Sequence, residues 1–195
     1  VPTQDMILGS YYLTMLRIGK AEKGAENVLV DFAGDTGLPA GEIVDADDYV
    51  AANKKIEAEN KEIEAANKAK GDDKKDEWEE LKKLATYKPL LCYRDPNEAV
   101  MAYNEGVLGL HAPIRLRVSK IIDGVEKKAI INTTVGRIIY NEPIPQDLGY
   151  VDRSDPEHMF DHEIGFQVGK KQLGNIIDRC IKKYGFTISA EVLDN

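Results

Sequence analysis

Cysteine is scarce in this 195-residue sequence: Cys92 and Cys180 fall in separate apolar contexts without CxxC spacing. The absent spacing removes a thioredoxin-type redox motif and a cysteine-pair zinc site, and two reduced, buried thiols of a cytosolic protein are the expectation. A disulfide or a catalytic thiol is the lesser reading. No uninterrupted apolar run is long enough to cross a bilayer. No basic stretch is followed by an apolar one at the start, so no secretory or transit leader is read. A basic surplus is missing too, with 34 acidic against 26 basic residues and a formal net charge of −8. Binding nucleic acid alone takes excess cations to neutralise phosphates, so this chain by itself is not expected to grip DNA or RNA tightly. A place beside nucleic acid within a larger, basic assembly stays open.

The usual catalytic constellations are also missing. Gly34-Asp35-Thr36-Gly37 lacks the Lys-Ser/Thr and the strand–helix setting of a phosphate-binding loop. There is no GxSxG elbow. His158 and His162 are four apart with Asp155 and Asp161 nearby, and a helix there would put both imidazoles on one face. Pro156 and the absence of apolar periodicity argue for an ordinary polar loop instead, leaving a small metalloenzyme using His158, His162 and Asp161 as a minor alternative. His111 stands alone beside an apolar strand, in packing or turn chemistry. Neither a catalytic residue nor a metal site is assigned within the chain.

What is present reads as helices around a small sheet. Thr3 caps a helix running to about Arg17, with Met6, Ile7, Leu13 and Leu16 near helical spacing. Gly19 to Gly41 is loop, with one short strand at Val28-Leu29-Val30. From Asp45 to Thr86 the composition turns to alanine, asparagine, lysine and glutamate, with a seven-residue repeat from Ala51 to Lys68 that sets Ile56 and Ile63 one heptad apart. Gly71-Asp72-Asp73 breaks that helix, and Trp78, Leu81 and Ala85 follow at i, i+3 and i+7. The expectation is an antiparallel helical hairpin with a thin seam, its charge run the solvated face, or else a surface that docks a partner.

After Pro89, Asp95-Pro96-Asn97-Glu98 starts a helix that ends near Gly106. Ile114 to Val118 alternates as a half-buried strand, Asp123-Gly124 is a hairpin turn, and Lys128 to Thr134 returns. Gly136 to Tyr140 is open between strand and helix, and 146–163 is polar loop. Lys170 to Tyr184 is an amphipathic helix stopped by Gly185. The fold class is therefore α+β, with helices bracketing a small antiparallel ribbon and an inserted antiparallel helical hairpin. Arg115, Arg117 and Lys120 are expected on one side of the first ribbon strand, with Arg137 on the next element. They form a solvated face, or a surface for a channel, another subunit's acids or a phosphate.

Several stretches are distinctive as strings. Pro2-Thr3-Gln4-Asp5-Met6-Ile7-Leu8-Gly9-Ser10-Tyr11-Tyr12-Leu13-Thr14 closely resembles a signature of the largest (β′) subunit of bacterial RNA polymerases. Leu110-His111-Ala112-Pro113-Ile114, Thr133-Thr134-Val135-Gly136-Arg137-Ile138-Ile139-Tyr140-Asn141-Glu142, and the run from Gly169-Lys170-Lys171 to Lys183-Tyr184-Gly185 resemble the same family in the same order. The resemblance implies the pore domain, at 1–18 and 93–195, which helps wall the secondary channel for nucleotide entry and for extrusion of backtracked RNA 3′ ends. It implies that 19–92 is a lineage-specific insertion carrying the hairpin at about 45–86. Both ends are read as internal to a longer cytoplasmic protein. The aspartates that hold the catalytic magnesium are expected before Val1, with no cofactor held in this fragment and no activity from it alone. The implied partners are the other polymerase subunits, the rest of β′, and DNA and RNA in the assembled enzyme, with no membrane. The residues placed nearest the active centre are Thr3, Gln4 and Asp5, Gln4 as a polar contact and the other two also as helix cap and first-turn charge. Arg115, Arg117 and Arg137 are candidates for channel or subunit contacts.

Overall fold

The computed structural model describes residues 2–18 and 27–195; the part of the expected glycine-rich loop from 19 to 26 lies outside them. The chain divides into two compact units. The first comprises 2–17 and 91–195 among the described residues, the second 18 and 27–90. Among the described residues no helix is long and apolar enough to cross a membrane.

In the first unit, α1 (Gln4–Thr14) starts where Thr3 turns extended and its Oγ1 accepts the Met6 N–H at 3.3 Å. That bond satisfies one of the amides every helix leaves open at its start. Met6 and Ile7 pack against the hydrophobic core and Leu13 is half-buried, as expected, whereas Leu16 just beyond the helix is exposed and the fully buried positions are the polar Ser10 and Thr14. The Thr14 hydroxyl donates to the Ser10 carbonyl and accepts the Val168 N–H, both at 2.7 Å.

Next come β4 (Cys92–Tyr93), α3 (Pro96–Asn104), β5 (Ile114–Ile122) and β6 (Val125–Thr133), in the first unit's own mixed sheet of order β4-β5-β6. Asp95 caps α3 by accepting the Glu98 N–H at 2.8 Å, with Pro96 in the first turn. Asp123 and Gly124 carry φ of 52° and 77°, the paired positive values of a type I′ turn, so β5 and β6 run in unbroken register from Ile114↔Thr133 to Ile122↔Val125. Strand β4 adds parallel to β5, a pairing beyond the expected ribbon. The segment left open between strand and helix is α4 (Val135–Asn141), capped by the Thr134 hydroxyl on the Arg137 N–H.

The last element, α5 (Lys170–Asp194), is broken at Gly185, whose φ of 81° matches the expected stop after Tyr184. Ile144, Leu148, Ile164, Val168, Leu173, Ile176 and Cys180 form the core beneath it. Cys180 is thus buried, but Cys92 is exposed: a two-residue edge strand leaves one of its faces open.

The second unit holds β1 (Asn27–Phe32), β2 (Ile43–Asp45), α2 (Ala46–Lys70), a 3-10 turn (Asp72–Glu77) and β3 (Thr86–Lys88). Its antiparallel sheet has the order β2-β1-β3, over a core of Val28, Val30, Ala46, Tyr49 and Ala85. The α+β class is observed, but the helical hairpin is not. Only its first arm, α2, is helical; residues 78–85 return as extended chain and enter β3. Trp78, Leu81 and Ala85 consequently share no face, since Ala85 is buried and Leu81 is exposed. The physical reason lies in α2, whose asparagine side chains bond directly to the main chain of the returning arm.

Candidate functional site

The residues expected nearest a reaction centre lie together at the start of α1. Thr3 is spent on capping, while the Gln4 and Asp5 side chains are exposed. The helix dipole favours the Asp5 carboxylate in this first turn. Gln4 offers a carboxamide that both donates and accepts, suited to hydrogen bonding and carrying no charge. The opposite end of α1 is anchored by side chains of α4. Tyr140 Oη donates to Ser10 Oγ at 3.1 Å, and Arg137 Nε donates to the Thr14 carbonyl at 3.0 Å. Burial pushes the Tyr140 phenol up, opposed by its bond to Ser10.

The cationic candidates do not join this polar end. Arg137 is engaged at the last turn of α1, about 16 Å along the helix from Thr3 at 1.5 Å per residue. Arg115 is half-buried and Arg117 exposed on one face of β5, opposite Asn132 and Ile130 respectively. Lys120 was expected beside them and lies on the other face. With no bulge in β5, odd and even positions point to opposite sides. Its ammonium donates to the Met159 carbonyl at 3.2 Å, and burial, then the nearby Arg153 guanidinium, lowers its pKa.

The two histidines stand on a loop, not a helix face. His158 is exposed and its Nδ1 lies 3.0 Å from Asp161 Oδ2, a bond that raises its pKa. His162 is half-buried, and burial, then Lys120 and Arg153, lowers its pKa. Among the described residues no group of three or more His, Cys, Asp or Glu side chains is arranged to hold a metal ion. His111 is buried, with the Tyr12 ring edge-on at 4.6 Å between centroids.

His162 yields a pH prediction. A depressed folded pKa means the unfolded chain binds the proton first, so this residue's contribution is fully present above about pH 6.5 and is lost as the pH falls through the folded value. His158, with a raised pKa, works in the opposite sense in the same region: its contribution is present below about pH 6.5 and lost as the pH rises. The groups facing His162 are Lys120, Arg153 and Asp161. Urea unfolding of the chain and of His162→Asn between pH 7.5 and 5 should show the variant losing less stability on acidification. Equal slopes would mean that His162 is not held neutral by its surroundings.

A densely bonded group in this unit is one that the sequence does not single out. The Glu163 carboxylate is fully buried and accepts the N–H groups of Gly149 (3.3 Å), Tyr150 (2.9 Å) and Val151 (3.1 Å). Arg153 lies 3.4 Å from it and donates to the carbonyls of Gln146, Met159 and Asp161. Asn141 closes the base of the loop by exchanging two hydrogen bonds with Ile164, at 2.9 and 3.0 Å. The loop 146–163 is therefore irregular but tightly tied, and it walls a cleft of about 390 Å³ with Ile130, Asn132 and Phe166. Only the turn residues and the charged pair Arg153 and Glu163 could have hinted at this, because the other three partners of Glu163 are main-chain amides, which any sequence possesses.

The profile of the family described as RNA polymerase Rpb1, domain 3, matches residues 1–195. The chain is 38% identical over 194 residues to the DNA-directed RNA polymerase subunit beta' of Acetivibrio thermocellus, covering all of this chain and 11% of that protein. It is 36% identical over 194 residues to the same subunit of Clostridium novyi, again covering all of this chain and 11% of the relative. The Thermoanaerobacter pseudethanolicus subunit is 54% identical over 102 residues, which is 52% of this chain and 9% of that protein. The chain thus spans about a tenth of the length of the curated relatives it matches.

Proposed function

This chain belongs to the RNA polymerase family described by Rpb1 domain 3 and represented by bacterial β′ subunits, and on that premise we propose that it serves DNA-templated transcription as a channel-forming segment of β′. In this reading it walls the secondary channel that admits nucleoside triphosphates and receives backtracked RNA 3′ ends. The observation that carries the proposal is the match over all 195 residues. It is supported by the way α1 holds Gln4 out from a capped, anchored helix end.

Gln4 is assigned a neutral contact to a nucleotide or an extruded RNA end. Thr3 and Asp5 shape the helix start that presents it. Arg115 and Arg117 face a channel or a neighbouring subunit, whereas Arg137 supports α1. Catalysis belongs to the assembled enzyme, whose magnesium is held by aspartates outside this sequence, and the isolated chain is inactive in nucleotide transfer. Its partners are the remainder of β′, the other polymerase subunits and, in the assembly, DNA and RNA. The setting is the bacterial cytoplasm.

The test uses polymerase reconstituted with the complete β′ subunit carrying Gln4→Cys or Arg117→Cys and a thiol-reactive photoprobe. Backtracked RNA with a labelled 3′ end should crosslink to Gln4→Cys, and the crosslink should weaken when the RNA is cleaved back into register. An active enzyme that gives no crosslink at either position, whatever the RNA register, would overturn the channel-wall assignment. A second reading, in which the 19–92 segment docks a transcription regulator, is favoured by one observation. Residues 27–90 build their own core yet expose Phe32, Ile43, Leu81 and Leu84. The same reconstituted enzyme with 27–90 replaced by a short linker separates the two readings: regulation should fail while basal transcription and the crosslink survive.

A further inference from the structure

The seven-residue repeat of α2 binds an extended chain. Asn53, Asn60 and Asn67 occupy the same position in successive heptads. Each carboxamide exchanges two hydrogen bonds with the main chain of one residue in the return arm. Asn53 Nδ2 donates to the Ala85 carbonyl at 3.1 Å while its Oδ1 accepts the Ala85 N–H at 2.8 Å. Asn60 does the same with Lys82, at 2.9 and 2.8 Å. Asn67 does so with Glu79, at 2.9 Å in both directions. The three receiving residues are three apart, and the three asparagines are seven apart.

These two periods match in length. Seven helical residues rise about 10.5 Å at 1.5 Å each. Three extended residues advance about 9.3 Å as polyproline II, or about 10 Å as a strand. Trp78 enters the arm at φ −72° and ψ 138°, in the polyproline II region. The angular repeats match as well: a heptad returns to the same helix face within about 20°, and three polyproline II residues complete one turn. Ile56 and Ile63, each three residues beyond one of these asparagines and so on the same side of α2, are buried. A carboxamide carries one donor group and one acceptor at the spacing of a peptide unit, so it completes both hydrogen-bonding groups of an extended residue without reading its side chain.

We propose that the asparagine repeat of α2 is a register ruler for the return arm, fixing its length in steps of seven helical to three extended residues. The side chains of 79–85 are thereby released from setting the register, and the charged turn at Asp72–Glu77 is set one rung, about 10 Å, farther from the β2-β1-β3 sheet for each repeat added. The ladder ends at Ala85, where the arm passes into β3 and takes β1 as its partner.

Amide hydrogen exchange on the full 195-residue chain tests this. The amides of Glu79, Lys82 and Ala85 should be protected with a period of three, while those of Glu80, Leu81 and Leu84 exchange fast. Asn60→Ala should speed exchange at Lys82 by about tenfold, the equivalent of one or two lost hydrogen bonds, and leave β5 and β6 unchanged. Removing 57–63 together with 80–82 deletes one complete rung and should preserve protection at Glu79 and Ala85. Removing 57–63 alone should abolish protection at one of them. Exchange without the period of three, or equal protection in the single and paired deletions, would overturn the ruler.

Discussion

Glu163→Ala is expected to lower the unfolding free energy by about 3–5 kcal/mol, the usual consequence of removing one partner of a buried ion pair. Three main-chain amides lose their acceptor, and Arg153 keeps its charge without the carboxylate that balances it. Each stranded amide alone costs about 1–3 kcal/mol. These contributions share one loop and so do not add. Stabilities of domains lie at about 5–15 kcal/mol, so the loss is a large share of the total. Glu163→Gln keeps the shape and one acceptor oxygen but turns an amide group toward main-chain donors; about half of the alanine effect is expected. Urea unfolding gives both values. A cost below about 1 kcal/mol for alanine, within the range of ordinary surface substitutions and small contacts, would show that the loop 146–163 is held by its other bonds.

The elements that the sequence reveals are those whose signal is local. Thr3 and Asp95 act as caps, Asp123-Gly124 turns a hairpin and Gly185 stops a helix, because each works through neighbours three or fewer residues away. The strings around Gln4, Gly136 and Lys170 identify the family in the same direct way. The return arm was not legible because a heptad is ambiguous. It marks a seam for a second helix, and equally a ladder for an extended chain whose three-residue advance is almost as long. The arm sequence from Trp78 to Ala85 has helical spacing of its own, and tertiary hydrogen bonds from Asn53, Asn60 and Asn67 override it. Lys120 illustrates a simpler failure: the pleat reverses faces at every residue, and Lys120 is three positions from Arg117. Glu163 escaped notice because three of its partners are backbone amides and its pairing with Arg153, ten residues away, follows no helix or strand period. At the candidate site, the caps and charges were legible, but the division of labour between exposed Gln4 and engaged Arg137 depends on what touches each of them.

Gly136→Ala should be at least as damaging, with a loss of about 3 kcal/mol or more, at the upper end of what overpacking a core costs. A methyl group placed on Gly136 would stand 2.1 Å from the Leu13 carbonyl oxygen, 3.1 Å from its carbon and 3.3 Å from the Leu110 oxygen. All three are main-chain atoms, so no rotamer change relieves the contact, and α4 must retreat from α1 by about an ångström to restore ordinary separation. That retreat stretches the bond from Arg137 Nε to the Thr14 carbonyl and disturbs Thr14, whose hydroxyl holds Val168. The glycine and the arginine after it thus work as a pair: one lets the end of α1 come close, the other satisfies a carbonyl that the helix leaves open there. Gly174→Ala is the control. It lies in α5 with nothing within 4 Å of the added methyl, so it should be neutral or stabilising by about 0.5–1 kcal/mol through helix propensity. Thermal unfolding of the two variants separates local crowding from the general effect of replacing glycine, and equal midpoints would sink the close-approach argument. If Gly136→Ala behaves as expected, Arg137→Ala should loosen the end of α1 in the same sense but by less, because the Thr14 carbonyl then loses its donor without any main-chain clash.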